Sequence, residues 1–262
     1  MCIRDRTQNA QPALMATSLA VMAALKSEGV GIDAASFVAG HSLGEYSALA
    51  AAGSISVADT ARLLRTRGLA MQEAVPVGVG AMAALLGLDF ETVKEVSAEA
   101  AGDEVCQAAN ENDRGQVVVS GHKAAVERAV ELAKERGAKR AVLLPVSAPF
   151  HCVLMEPAAR VMADALDGVD IESPAVPLVA NVRASSINDP ATIRTLLVEQ
   201  ITGSVRWRES VEYMGAQGVT EIWEVGAGKA LSGMIRRINR DIGTRAVGSA
   251  DDVKAAVEAL NA

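Results

Sequence analysis

Leu14, Ser18, Val21, Met22 and Leu25 recur at helical spacing, and Pro12 suits the first turn of the helix they predict. A short strand is expected at 36–39. Gly40-His41-Ser42-Leu43-Gly44 follows and leads into a small-residue helix from Glu45 to Ala52. Ser56 and Asp59 read as a capping box opening a helix that runs to Glu73. Val75-Pro76-Val77-Gly78-Val79-Gly80 then breaks the pattern and marks a boundary.

Beyond that boundary the rhythm changes. A strand at 81–88 precedes a helix at 89–101, with Phe90, Val93, Val96 and Ala100 on one side. Strands follow at 104–109 and, after the turn Asn112-Asp113-Arg114-Gly115, at 116–120. The helix at 123–136 places Val126, Ala129, Val130 and Ala133 at the i, i+3, i+4, i+7 spacing, and a strand at 139–144 closes the unit. The order β-α-β-β-α-β is that of a ferredoxin-like module. It predicts a small domain at 78–145 inserted into a discontinuous large α/β domain over 7–77 and 146–262. In the second part, a loop and helix span 149–166, strands 176–182 and 220–225, and helices 191–201, 208–215 and 229–239. Such alternation predicts a mostly parallel sheet with helices on both faces. Residues 1–6 carry no periodicity and read as a non-native leader.

Composition narrows the class. Half of the 262 residues are hydrophobic and 22% are charged, enough apolar surface for a sizeable core. Aromatics reach only 3%, so that core must be aliphatic and methionine-rich. A net charge of −7 argues against nucleic acid as partner. Cys2, Cys106 and Cys152 lack any C-x-x-C spacing, which excludes a disulfide framework and a cysteine-rich zinc site and suits a reducing cytoplasm. The apolar stretch 13–25, preceded by Arg4 and Arg6, imitates a secretory signal. It is shorter than the about 20 residues a bilayer requires, and its periodicity is that of a core helix. No membrane association is expected.

Residues 40–44 form a G-x-S-x-G between a strand and a helix, where the glycines permit a sharp turn that pushes the Ser42 hydroxyl outward. The Leu43 N–H at the helix start would supply half of an oxyanion hole. A serine needs a base. Of the three histidines, His41 is expected to turn away and pack, His122 to sit at the surface, and His151, after Ser147-Ala148-Pro149-Phe150, to be the base. No acid completes a triad between Ser42 and His151. In Arg62-x-x-Arg65-x-Arg67, the first two fit a solvated helix face, while an inward Arg67 would clamp a substrate carboxylate. Gly226-Ala227-Gly228-Lys229 lacks Walker spacing and reads as a strand-to-helix turn, and Cys152 reads as buried filler.

Gly40-His41-Ser42-Leu43-Gly44-Glu45-Tyr46, Arg67-Gly-Leu-Ala-Met-Gln72, Ser147-Ala-Pro-Phe-His-Cys152 and Glu224-Val-Gly-Ala-Gly-Lys229 together resemble the malonyl-CoA:acyl-carrier-protein transacylases of bacterial fatty-acid synthesis, in order from Thr7 to the C-terminus. The resemblance implies an α/β-hydrolase-like large domain with the ferredoxin-like insertion. It implies Ser42 as nucleophile and His151 as base, the histidine oriented by a main-chain carbonyl at Gln200 in place of an acid. It further implies Arg67 on the malonyl carboxylate, Gln11 beside it, and ping-pong transfer from malonyl-CoA to acyl carrier protein by a monomer needing no metal or cofactor. Ala227 stands where the family usually has proline. The family opens with a strand ending in Gly-Gln-Gly-Ser-Gln, whose glutamine backbone completes the oxyanion hole. Nothing upstream of Thr7 resembles it, so a truncated chain is expected, slowed on the order of 10²–10³ by loss of that donor. An acidic carrier protein would need a basic patch on this acidic protein; Arg206, Arg208, Lys229, Arg236, Arg237 and Arg240 are the candidates. Other readings are an esterase or thioesterase, which requires a carboxylate on His151 and leaves Arg67 idle, an acyltransferase domain of a larger synthase, and a non-catalytic carrier-binding remnant.

Overall fold

The computed structural model describes residues 6–260, so Cys2 and all of the expected leader except Arg6 lie outside the described residues. Helix α1 spans Thr7–Ser27, one turn and more before the expected start at Pro12. Proline inside a helix leaves the carbonyl four residues earlier without its donor. That carbonyl, on Gln8, accepts instead from the Arg65 guanidinium at 3.1 Å. Arg65 is therefore a tie between helices rather than a purely solvated charge. Arg62 does lie on the solvated face, paired with Asp59.

Strand β1 (Val38–Ala39) runs into α2 (Leu43–Ala51), and α3 (Val57–Glu73) opens with the expected cap, Ser56 Oγ accepting from Asp59 N at 3.0 Å. Helices α1 and α3 cross closely because Gly68 has no side chain: a Cβ there would sit 2.4 Å from Gln8 Cα. This crossing carries Gln11 of α1 to Arg67 of α3.

Four antiparallel strands follow in the spatial order β3-β4-β2-β5: β2 (Gly80–Leu86), β3 (Cys106–Asp113), β4 (Gln116–His122) and β5 (Arg140–Leu143). Helices α4 (Phe90–Ala101) and α5 (Lys123–Glu135) cover one face through Val93, Val96, Val126, Ala129 and Val130. Strand β3 runs four residues past the predicted end, through Asn110, Glu111, Asn112 and Asp113, all of them buried. Polar side chains there mimic a turn in sequence. They are buried because partners from elsewhere meet them, Arg208 at Glu111, His41 at Asn112 and Arg237 at Asp113.

The remainder comprises α6 (Glu156–Asp167), β6 (Leu178–Ala180), β7 (Ser185–Ile187), α7 (Pro190–Thr202), α8 (Trp207–Ala216), β8 (Glu221–Val225), α9 (Ala230–Ile238), β9 (Gly243–Val247) and α10 (Ala250–Leu260). No expected element corresponds to β7, β9 or α10. Among the described residues the parallel strands form two separate sheets, β1-β6-β7 and β8-β9, rather than the one expected sheet; β1 pairs parallel with β6, β8 parallel with β9, and β7 antiparallel with β6. The chain is thus α/β. Its largest apolar core lies between α2, α3, α6, α7 and β6, built from Leu49, Leu64, Met71, Met162, Leu178 and Leu197 among others, with Tyr46 as its one fully buried aromatic. Among the described residues no helix is long and apolar enough to cross a membrane.

Candidate active site

The turn between β1 and α2 is held in a conformation that ordinary residues avoid. Ser42 has φ 53° and ψ −111°, and among the described residues only His151 and Ala184 share a positive φ without being glycine. Such strain costs about 1–3 kcal/mol and persists only where the surroundings impose it. Asn181, the residue after β6, imposes it here: its Oδ1 accepts from Ser42 N at 2.8 Å, and its Nδ2 donates to the Gly40 carbonyl at 2.7 Å. Gly40 must lack a side chain, since a Cβ would lie 2.0 Å from the Gly44 carbonyl carbon, whereas one at Gly44 would meet nothing within 4 Å. Leu43 is the first residue of α2, so its N–H has no acceptor within the helix.

Ser42 Oγ lies 2.8 Å from His151 Nε2. On the far side of the ring, His151 Nδ1 lies 2.8 Å from the main-chain carbonyl of Gln200 in α7. A carbonyl only accepts, so Nδ1 carries the proton and Nε2 presents its lone pair to the serine. Arg67 Nη2 donates to Ser42 Oγ at 3.0 Å; the serine proton therefore points at His151. Burial, helped by the positive charge of Arg67, pushes the His151 pKa down to about 3, which leaves the imidazole unprotonated at neutral pH, with the Nε2 lone pair free but less basic than in an ordinary histidine.

Arg67 is 1% exposed, yet it carries a guanidinium. Its Nη1 donates to Gln11 Oε1 at 2.8 Å and its Nη2 also to Gln200 Oε1 at 2.8 Å. Its charge centre sits 5.6 Å from the centroid of the Tyr46 ring. Burial lowers its pKa while Tyr46 and Glu45 draw it back up; an arginine so placed stays charged. The slot is therefore a water-poor cation poised beside a nucleophile, suited to an acyl group ending in a carboxylate.

The residues singled out for the site thus meet: Ser42, His151, Arg67, Gln11 and Gln200 are joined by hydrogen bonds, and Leu43 adjoins them. Two others are given no role by the sequence. Asn181 falls inside the strand expected at 176–182, and Glu45, within the Gly40–Tyr46 motif, sits in α2 and is 1% exposed. His41 is a half-buried packing residue, Nε2 at 2.9 Å from Asn112 Oδ1 and its ring near Trp207. His122 is a satisfied structural histidine whose Nδ1 accepts from Val105 N at 2.9 Å. Burial raises the pKa of Cys152, whose thiol donates to the Pro149 carbonyl. The Gly226–Lys229 turn is no free anion site, because Glu224 already accepts from Leu231 N and Ser232 N at the start of α9. A cleft of about 950 Å³ has neither Ser42 nor His151 nor Arg67 in its lining, and its arginines, among them Arg206 and Arg208, are tied to Glu209, Glu111 and Glu212. With Arg237 held by Asp113, half of the candidate docking patch is already neutralised.

The "Acyl transferase domain" family model matches residues 3–247. The malonyl CoA-acyl carrier protein transacylase of Bacillus subtilis strain 168 is 47% identical over 255 residues, covering 97% of this chain and 80% of the relative. Among solved structures, acyl-carrier-protein-S-malonyltransferase from Bartonella henselae aligns with a TM-score of 0.97 and 54% identity over 99% of this chain and 83% of that one. A type II PKS acyl-carrier protein in complex with its malonyl-transacylase aligns with a TM-score of 0.95 at 42% identity, over 98% and 82% of the two chains.

Proposed function

Because the chain belongs to the acyl transferase domain family, we propose that it transfers a malonyl group from malonyl-CoA to the phosphopantetheine thiol of acyl carrier protein, as fatty-acid synthesis requires, in the cytoplasm. The observation that carries this reading is the buried Arg67 guanidinium within one hydrogen bond of the Ser42 hydroxyl. An esterase has no use for a buried cation there, and the group facing His151 Nδ1 is a carbonyl rather than the carboxylate an esterase triad needs.

The chemistry follows from the donors and acceptors. As Ser42 Oγ attacks the thioester carbonyl carbon, its proton passes to His151 Nε2, and the Gln200 carbonyl stabilises the imidazolium through Nδ1–H. Leu43 N–H faces the developing oxyanion. The carbon–sulfur bond breaks, the sulfur takes the proton from His151, and malonyl-serine remains. The carrier thiol then gives its proton to His151, attacks the ester carbonyl, and Ser42 recovers the proton as it leaves. Arg67 holds the malonyl carboxylate throughout, its contact to Ser42 Oγ giving way to the substrate oxygens. An acetyl group would leave the guanidinium unpaired, which is the basis of discrimination.

The same proposal takes 7–77 and 146–262 as an α/β-hydrolase-like domain and 78–145 as a ferredoxin-like insertion. The strand order β3-β4-β2-β5, with α4 and α5 on one face, supports the latter. Incubation with malonyl-CoA should add one malonyl mass to the intact protein, mapping to the Ser42 peptide and discharged by holo-acyl carrier protein. Release of free malonate without transfer would instead favour a hydrolase, and absence of any adduct a binding remnant.

A further inference from the structure

Gln200 is fully buried, and its side-chain amide stands between groups of opposite need. Its Nε2 donates to Glu45 Oε2 at 2.8 Å and to the Ser42 carbonyl at 3.0 Å, while its Oε1 accepts from Arg67 at 2.8 Å. Arg67 has only donors, so the amide serves it in one orientation alone; rotated by half a turn, it would bring NH₂ against the guanidinium. Glu45 Oε2 also accepts from Asn181 N at 3.1 Å, which pins the carboxyl to the residue clamping the nucleophile turn. Its other oxygen, Oε1, has no partner among the described residues, so a proton residing there leaves Oε2 an acceptor. Burial raises the Glu45 pKa to about 7, and this arrangement tolerates either protonation state.

We propose that Glu45 is a specificity-determining positioning residue: by accepting from Gln200 it sets the orientation of that amide, and so holds Arg67 where the malonyl carboxylate binds. The inference rests on the malonyl-transfer reading and names a residue that acts through Gln200 without touching substrate. The base is independent of it, since His151 is oriented by the Gln200 main chain rather than by the side chain. Glu45 should therefore govern which acyl group is accepted more than the ability to transfer one.

Two conservative variants separate this from a merely structural role. Glu45→Gln keeps an oxygen acceptor at the same distance and removes the charge. Glu45→Asp keeps the charge and withdraws the acceptor by one carbon–carbon bond, about 1.5 Å. The readout is the ratio of kcat/KM for malonyl-CoA to that for acetyl-CoA, alongside the melting temperature. The ratio should fall about tenfold in Glu45→Asp, as for one weakened hydrogen bond to a charged group, and stay near the parent in Glu45→Gln. A parental ratio in Glu45→Asp, an equal fall in Glu45→Gln, or both substrates declining in step would overturn the inference. A parent that shows no preference for malonyl-CoA would overturn the functional reading itself.

Discussion

Replacing Arg67 by methionine leaves a long unbranched side chain in the slot and deletes the cation together with its hydrogen bonds to Gln11, Gln200 and Ser42. A carboxylate held by two guanidinium N–H groups gains two charge-assisted hydrogen bonds, each worth about 1.5–3 kcal/mol. One existing bond, to Ser42 Oγ, is surrendered in exchange, so the lower end, about 3 kcal/mol in all, is the appropriate figure. It corresponds to a loss of about 10²-fold in kcat/KM for malonyl-CoA. Acetyl-CoA brings no carboxylate, and its kcat/KM should hold or rise once no cation is left buried and unpaired. The same substitution has a second consequence. Burial is the larger cause of the depressed His151 pKa and the charge of Arg67 the next. The acid limb of kcat/KM for acetyl-CoA, a substrate with no ionisable acyl carboxyl, should move to higher pH in Arg67→Met, stopping short of the ordinary histidine value because burial remains. Initial rates of CoA thiol release across pH measure both effects. Equal losses for the two substrates, or an unmoved acid limb, would refute the reasoning.

Asn181→Ala leaves the Ser42 N–H and the Gly40 carbonyl without their partner, at about 1–3 kcal/mol each, and should lower the melting temperature while reducing acylation of Ser42. Gly40→Ala should abolish acylation through its clash with Gly44, whereas Gly44→Ala, with open space at Cβ, should fold with unchanged or slightly higher thermal stability; the opposite ranking would contradict the geometry of the turn. Glu45 binds its proton more tightly folded than unfolded, so its favourable contribution is complete below its ordinary value of 4.5 and disappears as pH rises through about 7. The parent should therefore lose melting temperature relative to Glu45→Gln across that interval, and parallel curves would count against the buried carboxyl. Charge reversal at Arg236 and Arg240, neither held by a carboxylate in an ion pair among the described residues, should raise KM for acyl carrier protein and not for malonyl-CoA; unchanged constants would remove this patch from carrier docking.

Local chemistry was legible wherever a residue's own backbone dictated it. The Ser56 cap, the heptad-like faces of α4 and α5 and the turn at Gly40–Gly44 each follow from neighbours in the chain, and periodicity located them to within a few residues. Elements whose polar residues are buried by distant partners were not legible. The end of β3 reads as a turn until Arg208, His41 and Arg237 arrive to satisfy it. Pro12 reads as a helix start until Arg65 takes the Gln8 carbonyl. Strands β7 and β9 begin with polar residues or glycine, Ser185-Ser186 and Gly243-Thr244-Arg245, and show no apolar run to distinguish them from loop.

What the chain alone determined about the site is its inventory: one serine at a strand-to-helix turn, one histidine left by elimination, one arginine in the right run. Whether these could act together depended on contacts spanning 109 positions from Ser42 to His151 and 133 from Arg67 to Gln200. Only the packed structure supplies them, because hydrogen-bond direction and burial are properties of surroundings rather than of residue types. Tautomer, proton placement and the depressed basicity of His151 are all set by groups remote in sequence. Glu45 makes the point most sharply: along the chain it is one acidic residue among many, and it acquires a role only when α2, β6 and α7 converge on it.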